Sequence, residues 1–212
     1  MLSCTDVNCN YGNRRIFEGV SFVADEGALI VLHGHNGTGK TSLLHMLAGL
    51  KPVLEGEINW KGRDIAAAIS NRDLEVTFIG HEAMVKPELT VLENINFWAA
   101  LNGDKSSIPY ALEKFGLEKY TDTKCSELSR GWQKRVALSR LVFCAADLWV
   151  LDEPYNNLDH EVSRLIDTLI AEKISVGGIV ILSSHMYVPI ESAIKLNISD
   201  YTFKPAPEAE FA

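Results

Sequence analysis

The stretch Gly34-His-Asn-Gly-Thr-Gly-Lys-Thr41 fits G-x-x-x-x-G-K-[ST], a spacing whose chemistry is phosphate binding. Backbone N–H groups wrap phosphate oxygens only where side chains leave room, which Gly34, Gly37 and Gly39 allow. Lys40 brings a full positive charge and the Thr41 hydroxyl an oxygen ligand for Mg²⁺. A helix beginning here turns its positive end on the same oxygens. His35, Asn36, Thr38 and Ser42 complete the expected ATP cradle. An ordinary glycine-rich turn is the alternative, but this loop sits between a buried-strand pattern and a helical one, where the mechanism needs it.

Two further clusters carry chemistry. Asp147-Leu-Trp-Val-Leu-Asp152-Glu153-Pro154 ends an apolar strand in two acids, and an acid there costs several kcal/mol unless something compensates it. Mg²⁺ held between Asp152, Thr41 and the phosphates would do so. Glu153 would then stand beyond the γ-phosphate and orient or deprotonate the attacking water. Taken alone, a plain Asp-Glu-Pro turn would also serve. Leu128-Ser-Arg-Gly-Trp-Gln-Lys-Arg135 starts a helix with Ser129 as N-cap and Gly131 in an open first turn. With Lys134 and Arg135 following, it is expected to be a second anion site. A plain capped helix is the alternative.

The elements that must position these groups follow from periodicity. Strands are expected at 2–7, 20–24, 28–32, 56–61, 75–79, 148–151 and 179–183, the third as a continuous apolar run buried on both faces. A helix over 42–48 follows the glycine loop. Thr90-Val-Leu-Glu93 is a capping box opening a helix with Val91, Leu92, Ile95, Trp98 and Ala99 as its apolar positions. Helices are also expected near 108–115 and 133–144. The pattern is α/β, with a core of about residues 1–86 and 145–204, a helical insert of about 87–144, and a loose tail at 205–212.

Composition bounds the function classes. Of 212 residues, 47% are hydrophobic and 23% charged, which supports an ordinary globular core. The net charge of -8 speaks against a protein that grips nucleic acid. Cys4, Cys9, Cys125 and Cys144 have no CxxC spacing and read as buried or semi-buried free thiols. No basic and apolar leader opens the chain, so secretion is not expected. No run reaches the ~18 apolar residues of a membrane span.

In order and spacing these motifs resemble the nucleotide-binding domain of ABC transporters, over about residues 2–203. Gly34–Thr41 resembles the Walker A motif, 148–153 Walker B, 128–132 the LSGGQ signature, Asn157-Leu-Asp159 the D-loop, and His185 the switch histidine. Tyr11 sits where the family stacks an aromatic on adenine. The resemblance implies a P-loop NTPase fold: a RecA-like core, an antiparallel β subdomain and an inserted helical subdomain in one ABC ATPase domain. It implies Mg²⁺ with ATP as substrate, and catalytic roles for Glu153, His185 and His81. It also implies a head-to-tail homodimer in which Ser129 and Gly131 contact the partner's γ-phosphate and Asn157 and Asp159 lie at the interface. Integral membrane subunits would dock on the helical lobe.

The departures narrow the resemblance. His81 stands where the family has glutamine; imidazole suits Mg²⁺ poorly, so it either hydrogen-bonds the water or a phosphate, or is structural. Arg130 replaces a glycine and Trp132 a glutamine. Gly80-His81, then Lys86-x-Glu-Leu-Thr-x-Leu-Glu-Asn94, resembles the ATP-binding subunit of the cytochrome c maturation haem-handling complex. That implies a peripheral protein on the cytoplasmic face of the inner membrane, powering haem handling and release to a periplasmic chaperone. Haem would be bound by the membrane partners and not here; His33, His35, His45 and His160 read as ordinary polar or packing residues. An unrelated ABC importer or exporter is the nearest alternative. A soluble ABC ATPase acting on ribosomes or DNA lacks its usual tandem domains here, and a regulator without turnover would not need Glu153 and His185.

Overall fold

The computed structural model describes residues 1–12, 14–82, 84–185 and 188–203; the expected tail, 205–212, lies outside them. Strands β1 (Leu2–Tyr11), β2 (Arg14–Ala24), β4 (Glu57–Trp60) and β5 (Arg63–Asp64) form an antiparallel sheet in the order β2-β1-β4-β5. Strands β3 (Leu29–His33), β6 (Val76–Ile79), β7 (Leu148–Asp152), β8 (Ile179–Ser183) and β9 (Ile194–Asn197) form a parallel sheet in the order β6-β7-β8-β3-β9. The helices are α1 (Lys40–Leu47), α2 (Ile65–Ser70), α3 (Val91–Leu101), α4 (Ile108–Lys114), α5 (Arg130–Ser139) and α6 (His160–Ser175).

The parallel strands β3, β7 and β8 are apolar up to their last residues, His33, Asp152 and Ser183, because both faces are covered. Alternation sends Val31, Trp149, Leu151, Val180 and Leu182 to one core, with α3, α5 and α6. Ile30, Leu32, Leu148, Val150, Ile179 and Ile181 go to the other, with α1 and the antiparallel sheet. At this sheet's carboxyl edge the order reverses around β8: β3 and β7 flank it, and each ends in a loop of the expected site.

Several boundaries differ from the sequence reading. The first two strands are longer, because their polar residues lie on the open side of a half-buried sheet. The helix whose period was read over 133–144 starts at Arg130 with Ser129 as its expected N-cap, the Ser129 hydroxyl accepting a hydrogen bond from Trp132 N–H. It gives way to a 3₁₀ turn over Arg140–Phe143. The capping box at Thr90 and Glu93 forms, with both reciprocal hydrogen bonds. Helix α6 and strand β9 were not expected. Cys4, Cys9 and Cys125 are buried and Cys144 partly so, all as free thiols. No helix among the described residues is long and apolar enough to cross a membrane.

Candidate functional site: a nucleotide cleft at the carboxyl ends of the parallel strands

The loop after β3 is held open by geometry specific to glycine. Gly34, Gly37 and Gly39 have φ of 139°, 82° and 97°, values that cost a residue with a side chain about 1–2 kcal/mol or more. At Gly39 packing adds a second reason: a Cβ would come within 2.6 Å of the Phe17 ring. Lys40, 8% exposed, curls back so that Nζ donates to the carbonyls of Gly34 at 2.7 Å and His35 at 3.3 Å.

Thr41 Oγ1 donates to Asp152 Oδ2 at 2.8 Å, joining the first turn of α1 to the end of β7. The other carboxylate oxygen accepts from Ser183 Oγ at 2.6 Å, and the same Ser183 oxygen accepts from Glu153 N–H at 2.9 Å. Ser183 ends β8 and is fully buried. Through it, the middle strand locks the two acids of its neighbour. Asp152, 2% exposed, thus presents oxygen beside the Thr41 oxygen. An all-oxygen pair at a buried carboxylate fits Mg²⁺.

Glu153 has φ 46°, a strained value for a glutamate, and such strain gathers at functional sites. Its side chain is nearly buried and Oε1 lacks a hydrogen bond, although His185 Nε2 stands 3.2 Å away. His185 Nε2 lies 3.1 Å from Asn36 Oδ1 and 3.5 Å from Lys40 Nζ. With its proton on Nε2, the imidazole donates to Asn36 and faces Glu153.

These groups line one cleft of about 510 Å³, a volume suited to a nucleotide. From the expected set it collects Tyr11, Asn36, Gly37, Gly39, Lys40, Thr41, Ser42, His81, Asp152, Glu153 and His185. Tyr11 is 80% exposed at its rim. Gly34, His35 and Thr38 of the same loop do not line the cleft; Thr38 Oγ1 donates to the His35 carbonyl at 2.9 Å. Ile16 and Asn156 also line the cleft, and nothing in their residue types announced it. Ser183 was missed too, since a serine closing an apolar strand carries no motif.

Ser129 and Gly131 do not line this cleft. They pack beside the D-loop: a Cβ on Gly131 would meet the Asn157 carbonyl at 3.0 Å, and Arg135 pairs with Asp159. The cations expected to join Ser129 and Gly131 at this helix start, Lys134 and Arg135, are directed elsewhere. Lys134 is 3% exposed and donates inward to the Gly80 carbonyl, while Arg135 is spent on Asp159 and the Phe115 carbonyl. A charge placed four or five residues into α5 lies on the helix flank, not at its open end. Trp132 is turned away as well, 4.5 Å from the Tyr120 ring and 4.4 Å beneath the Arg135 guanidinium. Arg130 is exposed. His45 packs edge-on against Phe78 at 5.1 Å.

Comparison with known proteins identifies the family. The family described as ABC transporter matches residues 17–156. The cytochrome c biogenesis ATP-binding export protein CcmA of Mannheimia succiniciproducens is 39% identical over 199 residues, covering 92% of each chain. Its counterpart in Haemophilus influenzae is 38% identical over 203 residues, 94% of this chain and 96% of the other. The chain belongs to the ABC transporter family, among these cytochrome c biogenesis export proteins. Among solved structures, a Pyrococcus furiosus protein proposed to be an ABC transporter ATP-binding protein superposes with a TM-score of 0.81 at 27% identity, over 95% of this chain and 99% of that one. A dimeric bacterial ABC transporter cassette gives 0.76 at 22% identity, over 93% and 95%, a likeness of fold. This ABC ATPase therefore carries its expected fold class.

Proposed function

We propose that the chain is the ATP-hydrolysing subunit of an ABC export complex in cytochrome c biogenesis. The observation that carries the chemistry is the junction of Thr41, Asp152 and Ser183, which puts two oxygen ligands beside the phosphate loop. The relatives' printed role carries the pathway.

Each residue has a task in this reading. Tyr11 stacks on adenine at the rim. Lys40 exchanges its neutral carbonyl partners for phosphate oxygens, a charge-assisted and therefore stronger bond. Thr41 and Asp152 hold Mg²⁺, which when bound neutralises charge on the phosphates. Glu153, with an unspent oxygen in a nearly dry position, accepts the proton of the attacking water. His185, beside Glu153 and Asn36, senses the γ-phosphate, and His81, which lines the same cleft, hydrogen-bonds the water or a phosphate.

Ser129 and Gly131 lie outside the cleft of their own subunit, which suits delivery to the nucleotide of a second copy across an interface that includes Asn157 and Asp159. The homodimer closes on ATP and opens after hydrolysis. Integral membrane subunits at the cytoplasmic face use that motion to handle haem and release it to a periplasmic chaperone, and they hold the haem themselves.

Tagged Glu153→Gln protein, purified from native membranes with Mg-ATP, tests the reading. Co-purification of haem-absorbing membrane subunits is expected. Recovery of an unrelated permease would remove the haem pathway, and recovery of soluble partners alone would remove the transporter role.

A further inference from the structure

Lys134 is an ammonium group with no structural motive that its position explains. It is 3% exposed, and among the described residues no carboxylate lies within ion-pairing distance. Its hydrogen bond goes to a neutral acceptor, the Gly80 carbonyl, at 3.1 Å. Burial, together with the nearby Arg140 charge, pushes it down from the usual lysine range to about 8, although Asp152 and Glu153 pull the other way. A buried charge with so little compensation is costly, and a leucine or methionine would pack there more cheaply.

What it grips is informative. Strand β6 is the edge of the parallel sheet, bonded on one side to β7. Carbonyls two residues apart on a strand point the same way. Lys134 takes that of Gly80, and Arg140, 4% exposed, takes that of Phe78. Two buried cations from one helical segment, α5 and the turn after it, thus hold the outer edge of the strand that runs directly into His81. Arg140 is itself fixed over the Trp98 ring of α3 at 4.5 Å, so this grip belongs to the helical layer. The next residue after Gly80 is His81, which lines the cleft together with Glu153.

We propose that Lys134 is a positioning residue for hydrolysis, carrying the placement of the signature helix to His81 through the Gly80 carbonyl. It touches neither ATP nor water. A shift of α5, whether from a second copy at its N-terminus or a membrane subunit on the helices, pulls Gly80 and with it the imidazole. The inference rests on the proposed role of His81 and would not survive its loss.

The test is a double-mutant cycle on the purified full chain, with kcat, KM and ATP affinity measured for Lys134→Met, Lys134→Arg, His81→Ala and His81→Ala/Lys134→Met. Lys134→Met is expected to lower kcat about tenfold or more while leaving ATP affinity within about twofold, since no nucleotide contact is removed. Lys134→Arg keeps a donor and is expected to recover most of kcat. In the His81→Ala background, Lys134→Met should cost nothing further, and thermal melts should show all four variants folded. Wild-type kcat in Lys134→Met, or an equal loss with and without His81, overturns the inference while leaving the ATPase reading intact. If His81→Ala itself turns over normally, the role of His81 fails first, and the inference with it.

Discussion

Ser183→Ala removes one oxygen atom that Asp152 and Glu153 share. Its hydroxyl donates to Asp152 Oδ1 and accepts from Glu153 N–H, at 2.6 and 2.9 Å, with no exposure to water. A hydrogen bond to a charged group contributes about 1.5–3 kcal/mol, and an orphaned buried N–H costs about 1–3 kcal/mol. Because the two losses share one site and are not additive, about 3 kcal/mol of destabilisation is expected. For a domain of this size that lowers Tm by about 6–12 °C. Release of the Glu153 backbone from φ 46° also lets the carboxylate drift, so kcat should fall more than ATP affinity. Calorimetric melts and steady-state ATPase measure the two effects side by side. A Tm within 2 °C of wild type together with unchanged kcat would refute the claim that β8 locks the two acids.

Three other outcomes follow from the same geometry. Lys40→Ala should weaken ATP binding by about 10–150-fold, the worth of a charge-assisted bond; unaltered affinity in a nucleotide titration would remove the phosphate-loop role. Thr90→Ala should cost about 1 kcal/mol by opening the capping box of α3, with ATP affinity unchanged, as read by urea melts and nucleotide titration. Lys134 gives stability a pH dependence of definite sign. Below about 8 both folded and unfolded chains hold its proton and the folded state bears the burial cost, whereas between about 8 and 10.5 the unfolded chain holds more protons. Unfolding free energy from this group therefore rises with pH across that window, by at most about 3 kcal/mol. Urea melts of wild type and Lys134→Met at pH 7.5 and 10 should show the wild type gaining relative to the variant, and a constant difference would contradict this.

The parallel sheet was legible because strands covered on both faces need unbroken apolar runs, and the run at Ile179–Ser183 coincides with its strand. Helix α3 was legible through its capping box. Helix α6 was readable in principle: Val162, Ile166, Leu169 and Ile170 form a buried stripe, and Asp159, singled out as an interface residue, also caps it by accepting from Val162 N–H at 3.0 Å. Strand β9 is short and mostly exposed, so neither period nor composition marks it. Within the site, the loop and the two acids carry their chemistry in their spacing. Ser183 and Lys134 do not, since their roles depend on which strand lies next to which. Lys134 and Arg135 were read from adjacency in sequence as anion ligands, and the helix sends them to different neighbours.

The most direct test of the account is ATP binding and turnover by Glu153→Gln in the presence of Mg²⁺. The account predicts wild-type affinity, a loss of turnover of about 10²–10⁴-fold, and an ATP-held species of about 47 kDa in light scattering, twice the 23.5 kDa chain. Hydrolysis at the wild-type rate would contradict it, because the proton of the attacking water would then be leaving by another route.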